Sequence, residues 1–287
     1  MPAEQFDVST ENGGKRLVET LDEKWGLRED RFRWPGRLTT DQFSFSMTQE
    51  RKDAFLKVFS RWNQNYEAGM SNREKLPLPA VPAAPGTGKS RFAWLAAASG
   101  RLPRQPKQDA EWLSAMDELQ DNDFKKGIQN AVGVAVTFNC DADPISDEKH
   151  EYMIGVRMLY GHFCDAKEVN FVDFHRHLSK HGCHEITSTT ALQIIEKDIA
   201  ANHVLDGRAK RHVILVVDEP LKPVTAATQQ ARLTQLGALT TSVGQLITNC
   251  QHVHVLMTSL SGSDLKEATR TASGRGWNLL TPTAAFA

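Results

Sequence analysis

Two separated segments carry residues whose types and spacing suit phosphate and metal chemistry. The first is Ala83-Ala84-Pro85-Gly86-Thr87-Gly88-Lys89-Ser90. It follows the Walker A pattern GxxxxGK[ST], with Ala83 in place of the first glycine. Gly86 and Gly88 free the backbone to turn its N–H groups inward as a nest for phosphate oxygens. Lys89 adds a compact positive charge suited to β- and γ-phosphates, and Ser90 a hydroxyl suited to Mg²⁺. A helix starting there adds the positive end of its dipole. The expected binding set is Ala84, Pro85, Gly86, Thr87, Gly88, Lys89, Ser90 and Arg91. A glycine turn that merely caps a helix is the bland alternative.

The second segment, His212 to Pro220 (HVILVVDEP), is an apolar run ending in two carboxylates. At the carboxyl end of a strand, Asp218 would share a Mg²⁺ ion with Ser90, directly or through water. Glu219, immediately after it, is placed to orient and deprotonate a water molecule. P-loop kinases and GTPases generally lack that glutamate, which favours hydrolysis over transfer. A further apolar run, HVHVLMTS at 252–259, would bring Thr258 to a strand end as a polar sensor of γ-phosphate or water. No guanine signature of the NKxD kind is present, so ATP is the expected nucleotide.

These residues need a scaffold of strands and helices. VGVAVTF at 132–138 and HVILVV at 212–217 read as buried strands, and WNLL at 277–280 as a last one. Phe55, Leu56, Phe59, Trp62 and Tyr66 recur at three- and four-residue steps, predicting an amphipathic helix from Met47 to about Tyr66. Ser46 and Gln49 are placed to form its capping box. Further helices are expected at the phosphate loop up to Gly100, near Glu111 to Leu119, at Glu148 to Phe163 with Met153, Val156, Leu159 and Tyr160 on one face, at Ala191 to Ala201, and at 225–248. The segment 70–79 reads as a loop. Prolines 77, 79 and 82 remove ladder donors, so the strand feeding the phosphate loop should be short, centred on Ala80 and Val81. Strands alternating with helices imply an α/β fold with a mostly parallel central sheet covered on both faces. Residues 1–45 read as an irregular N-terminal extension and 46–287 as the P-loop domain.

The chain has 287 residues, 34 Lys+Arg against 35 Asp+Glu, and a net charge of −1. That balance gives no support to whole-chain attraction to nucleic acid or an anionic membrane; a nucleoside triphosphate is the expected ligand, and a protein partner or a second copy stays open. No run approaches the ~18 apolar residues of a membrane span. No secretory signal is apparent, and the four scattered cysteines suit reduced thiols, so an intracellular setting (cytoplasm or nucleus) is expected.

The succession GTGKSRF, VTFN, GVRMLYGHF, VILVVDE, VLMTSL and SGRGWNLLTP resembles the ATPase domain shared by Crinkler effectors and retrotransposon hot spot proteins, over roughly residues 50–282. Its more specific parts are the helix bearing Arg157 and the Ser273-Gly274-Arg275 segment. The resemblance implies an AAA-like P-loop domain of the additional-strand, catalytic-glutamate division, a three-layer architecture expected to have an extra strand between the phosphate-loop and Walker B strands. VGVAVTF lies between the two motifs in the sequence. Family members often carry a nuclease-like C-terminal domain. Host-cell delivery is implied by this resemblance alone, and the expectation here is a shared ATPase core.

Other residues of suggestive type have simpler roles open to them. Arg157 and Arg275 have the character of arginine fingers, yet an arginine at such a position more often pairs with a carboxylate. His175, His177, His181, Cys183 and His184 match no structural zinc pattern and read as solvated helix-end residues. The leading reading is an ATP hydrolase. A nucleotide-dependent switch or scaffold that binds ATP without turnover is the chief rival, and a small-molecule kinase the third.

Overall fold

The computed structural model describes residues 7–8, 10–25, 48–68, 77–82, 88–97, 118, 122–138, 145, 148–164, 169–202, 211–259 and 277–279. In chain order the elements are α1 (Glu11–Trp25), α2 (Gln49–Glu67), β1 (Leu78–Pro82), α3 (Lys89–Ala97), α4 (Asn122–Gln129), β2 (Val132–Thr137), α5 (Met153–Phe163), α6 (Phe171–Lys180), α7 (Ser188–Asn202), β3 (Val213–Asp218), α8 (Gln229–Asn249), β4 (Val253–Ser259) and β5 (Trp277–Leu279). The strands form one parallel sheet in the order β2-β3-β4-β1-β5.

Alternation along the strands sorts the core into two halves. Val213, Leu215 and Val217 of β3, with Val253, Val255 and Met257 of β4, face helices α1, α5, α6, α7 and α8. Ile214, Val216 and Leu256 point the other way, onto α2, α3 and α4. Both faces are therefore covered, which is why these strands are near-continuous Val, Ile and Leu. The result is a layered α/β arrangement of helices, sheet and helices. The connection from β1 to β2 runs over one face and those from β2 to β3 and β3 to β4 over the other, opening a crevice at the carboxyl ends of the strands.

The order of strands corrects one expectation. β4, not the VGVAVTF strand, lies between β1 and β3, and β2 pairs outside β3. Nearness in sequence says little about nearness in a parallel sheet, because every connection crosses over. β1 is also longer than the prolines suggest, starting at Leu78 within the segment read as a loop. Its flank toward β5 is short, three paired residues, and Pro82 sits at the last position, paired with β4 alone. Few ladder bonds are thus at stake where donors are missing.

Residues 11–25, expected to be irregular, form α1. Leu17 and Leu21 lie one turn apart, are fully buried, and join the core shared by α5 and α7. Two leucines among charged residues make too faint a stripe to read unaided. At α2 the cap is Thr48, whose hydroxyl accepts from the Arg51 N–H at 3.4 Å, so Gln49 opens the helix and is not the third residue of a box. Ser46 and the segments 98–117 and 203–210 lie outside the described residues, and with them most of the helix expected near Glu111 to Leu119; α4 follows from Asn122. The helix read as amphipathic at 148–163 starts at Met153 and is buried nearly all round. Gly161 permits this, since a Cβ there would meet the Ala135 carbonyl oxygen at 2.2 Å. None of the described helices is long and apolar enough to cross a membrane.

Opposite the crevice, at the amino ends of β3 and β4, His212 Nδ1 lies 2.8 Å from His254 Nε2. Trp62, Tyr66 and Phe124 pack around the pair. Burial, with the charge of His252 adding to it, holds His212 down to about 4; burial also pushes His254 well below its ordinary value. A histidine whose folded-state pKa is depressed binds fewer protons folded than unfolded, so its stabilising effect is complete above about pH 6.5 and is lost as pH falls from there toward 4. The melting temperature is expected to drop over that window, and His254→Leu to flatten the drop. A profile unchanged by that substitution would assign the acid sensitivity to other groups.

Candidate functional site

The carboxyl ends of three neighbouring strands and the start of α3 converge on one carboxylate. Thr137 and Asp218, the last residues of β2 and β3, stand in register with Thr258, the last but one of β4. The Ser90 hydroxyl lies 3.2 Å from both Asp218 oxygens. Thr258 donates to Asp218 Oδ1, and Thr137 donates to Oδ2 at 3.3 Å. Asp218 is almost wholly buried, so these hydroxyls replace water around a charge that could not be buried alone.

Beside it, Lys89 Nζ meets Glu219 Oε1 at 2.8 Å, and both side chains are buried. Glu219 adopts φ 58°, the left-handed region, and is the one non-glycine residue to do so among the described residues. Such a conformation costs about 1–3 kcal/mol and persists where surroundings over-determine it. Here the Glu219 N–H donates to the Thr258 carbonyl at 3.0 Å. The chain therefore turns sharply after Asp218, swinging Glu219 out of the strand and toward the amino end of α3. Gly88, at φ 85°, makes a comparable turn just before that helix, and no side chain is present there to oppose it.

The two sequence segments thus meet as their residue types suggest. Lys89, Ser90, Asp218, Glu219 and Thr258 fall within one cluster. Ala84, Pro85, Gly86 and Thr87 lie outside the described residues, as do Ser273, Gly274 and Arg275. Arg91 is directed along α3, its guanidinium 4.2 Å from the Trp94 ring centroid.

Arg157 does not stand ready as a finger. It is buried, with Nε and Nη2 donating to Glu148 Oε1 and Oε2 at 3.0 and 2.7 Å. Nη1 donates to the Thr137 carbonyl at 3.0 Å, and the guanidinium lies 4.5 Å from the Phe138 ring and 3.9 Å from Phe171. The carboxylate-pairing alternative is the one the geometry bears out. Replacing Arg157 by leucine would leave Glu148 as an uncompensated buried charge; a loss of about 3–5 kcal/mol is expected, read as a lower urea midpoint. A loss under about 1 kcal/mol would mean that Glu148 finds water in the variant.

The histidine-rich stretch follows expectation at His184, which is exposed, and at His177 and His181, which are half-buried, and departs from it at His175. Phe171, Phe174 and Leu178 set one buried stripe of α6, and His175 is buried with them against Phe171 and His184. His177 contacts Lys24 Nζ at 2.9 Å. Sequence reasoning missed Thr137 and Glu148. Thr137 had a signal: a hydroxyl residue ending an apolar strand, as Thr258 does. Glu148 had none, because its partner is set by the packing of α5.

Comparison of the chain with protein-family models, curated proteins and solved structures finds no match.

Proposed function

We propose that the chain is a P-loop domain that binds ATP with Mg²⁺ and hydrolyses it, of the additional-strand kind that the resemblance to Crinkler and retrotransposon hot spot ATPase domains implies. One observation carries the reading: Ser90, from the end of the glycine-rich segment, lies against Asp218 while its neighbour Lys89 lies against Glu219. A lysine and a hydroxyl beside two successive carboxylates, at the carboxyl ends of parallel strands, is the constellation that holds a metal–triphosphate complex. Support also comes from β4 lying between β1 and β3.

The donor set suits Mg²⁺. Asp218 and Ser90 are hard oxygen ligands, and Mg²⁺ is commonly held by one or two protein groups with phosphate and water completing its shell. When bound, the ion neutralises charge on the phosphates. Lys89 would bind phosphate oxygens, Asp218 and Ser90 would hold the ion, and Glu219 would accept a proton from the water that attacks the γ-phosphorus as its bond to the ADP oxygen breaks.

The Lys89–Glu219 pair sets a condition on that sequence. A phosphate that draws the ammonium away from Glu219 leaves that carboxylate available as a base. If the pair instead persists beside bound nucleotide, the chain binds without turning over, which is the switch or scaffold reading. Titrating ATP and GTP against the protein, with and without Mg²⁺, and following phosphate release, separates these outcomes. Binding with release of phosphate is the expected result; absence of binding for every nucleotide tried would end the proposal.

A further inference from the structure

We infer that Thr137 is a positioning residue for the metal-binding carboxylate of Asp218, fixed in place by the buried Arg157–Glu148 pair. The inference rests on the reading of Asp218 as a Mg²⁺ ligand and adds a residue to that site.

A carboxylate offers two oxygens and about four lone-pair directions. Ser90 lies equally close to both Asp218 oxygens, while Thr258 donates to Oδ1 and Thr137 to Oδ2. An arriving cation would draw the Ser90 oxygen to itself. Thr258 and Thr137 would remain, one on each oxygen, and together fix the orientation in which the carboxylate meets a cation. Partners that orient a metal ligand in this way typically matter by a factor of 10–100 in metal affinity.

Thr137 is the less secure of the two by topology. β4 is flanked by β3 and β1, whereas β2 has β3 alone as a partner among the described strands. The end of β2 is held by other means. Phe138 N–H donates to the Asp218 carbonyl at 3.2 Å, and Arg157 Nη1 donates to the Thr137 carbonyl at 3.0 Å. Arg157 is in turn gripped by both oxygens of Glu148 and lies close to two phenyl rings. A rigid planar cation with three directions of contact suits the fixing of one carbonyl. The backbone it fixes carries the hydroxyl that meets Asp218.

The test compares wild type, Thr137→Val and Thr137→Ser by calorimetric titration with ADP and with a non-hydrolysable ATP analogue, in Mg²⁺ and in EDTA. The readout is the factor by which Mg²⁺ tightens nucleotide binding. Thr137→Val, which keeps the shape and removes the hydroxyl, should lower that factor roughly tenfold, with EDTA-state binding little changed, and Thr137→Ser should restore it. Thr137→Ala serves as a second hydroxyl-free variant should valine disturb folding. An undiminished Mg²⁺ factor in a folded hydroxyl-free variant overturns the inference while leaving the proposed function standing, as does failure of serine to rescue. If both hydroxyl-free variants fail to fold, the hydroxyl is structural and the inference falls. Wild-type protein that binds no nucleotide under either condition removes the proposed function itself.

Discussion

Lys89→Ala is expected to abolish nucleotide binding and to lower the stability of the ligand-free protein. Wild type should gain thermal stability on addition of Mg²⁺ and ATP, by mass action on the folded state. The variant should gain none at any attainable concentration, because the residue proposed to meet the phosphates is gone. Its second defect comes from Glu219. That carboxylate is buried against Lys89 Nζ at 2.8 Å, and removing one partner of a buried pair leaves the other uncompensated. The cost of such a deletion is about 3 kcal/mol, which in a chain of this size corresponds to a melting temperature lower by roughly 6–12 °C. The transition should stay cooperative, since neither core cluster includes Lys89. Differential scanning fluorimetry, with and without Mg²⁺ and ATP, reads both effects. A ligand-induced shift in the variant equal to that of wild type would show that Lys89 does not face the phosphates.

The strands that build the site were legible because they are buried on both faces: VGVAVT, VILVVD and VHVLMTS are near-continuous apolar runs in which hydrophobicity alone marks the element. Asp218, Glu219 and Thr258 were legible because polar residues ending such runs must lie at the sheet's carboxyl edge. Strand order was harder to read. Nothing in the local pattern distinguishes a strand that pairs outside β3 from one inserted between β1 and β3, and only the packing of all the crossovers decides it. α1 and α6 failed for a different reason. Their buried faces are narrow (Leu17 and Leu21 in one, Phe171, Phe174 and Leu178 in the other), and the surrounding charged and histidine residues mask the period. Arg157 is singled out in the sequence by the resemblance alone, and its role depends on Glu148, a long-range packing outcome.

Lys89 faces Glu219 in the ligand-free protein and would face phosphate on binding, and from that competition follows the second large effect. Glu219→Gln keeps the shape of the side chain and its capacity to accept a hydrogen bond from Lys89, while removing the negative charge and the basicity. Loss of a positioned general base is worth roughly 10²–10⁴ in rate, so phosphate release should fall by about that factor. Binding should move the other way. Lys89 no longer has to leave a buried anion to reach the phosphates, and the unfavourable part of that exchange is lost; binding of the non-hydrolysable analogue should be at least as tight as in wild type. The combination matters more than either number. Lower turnover with weaker binding would mean that Glu219 holds the site together and supplies no base. Equal turnover would mean that water is activated elsewhere, and the sharp turn that carries Glu219 toward α3 would need another explanation. Single-turnover phosphate release, paired with titration of the analogue, measures both quantities on one preparation of each protein.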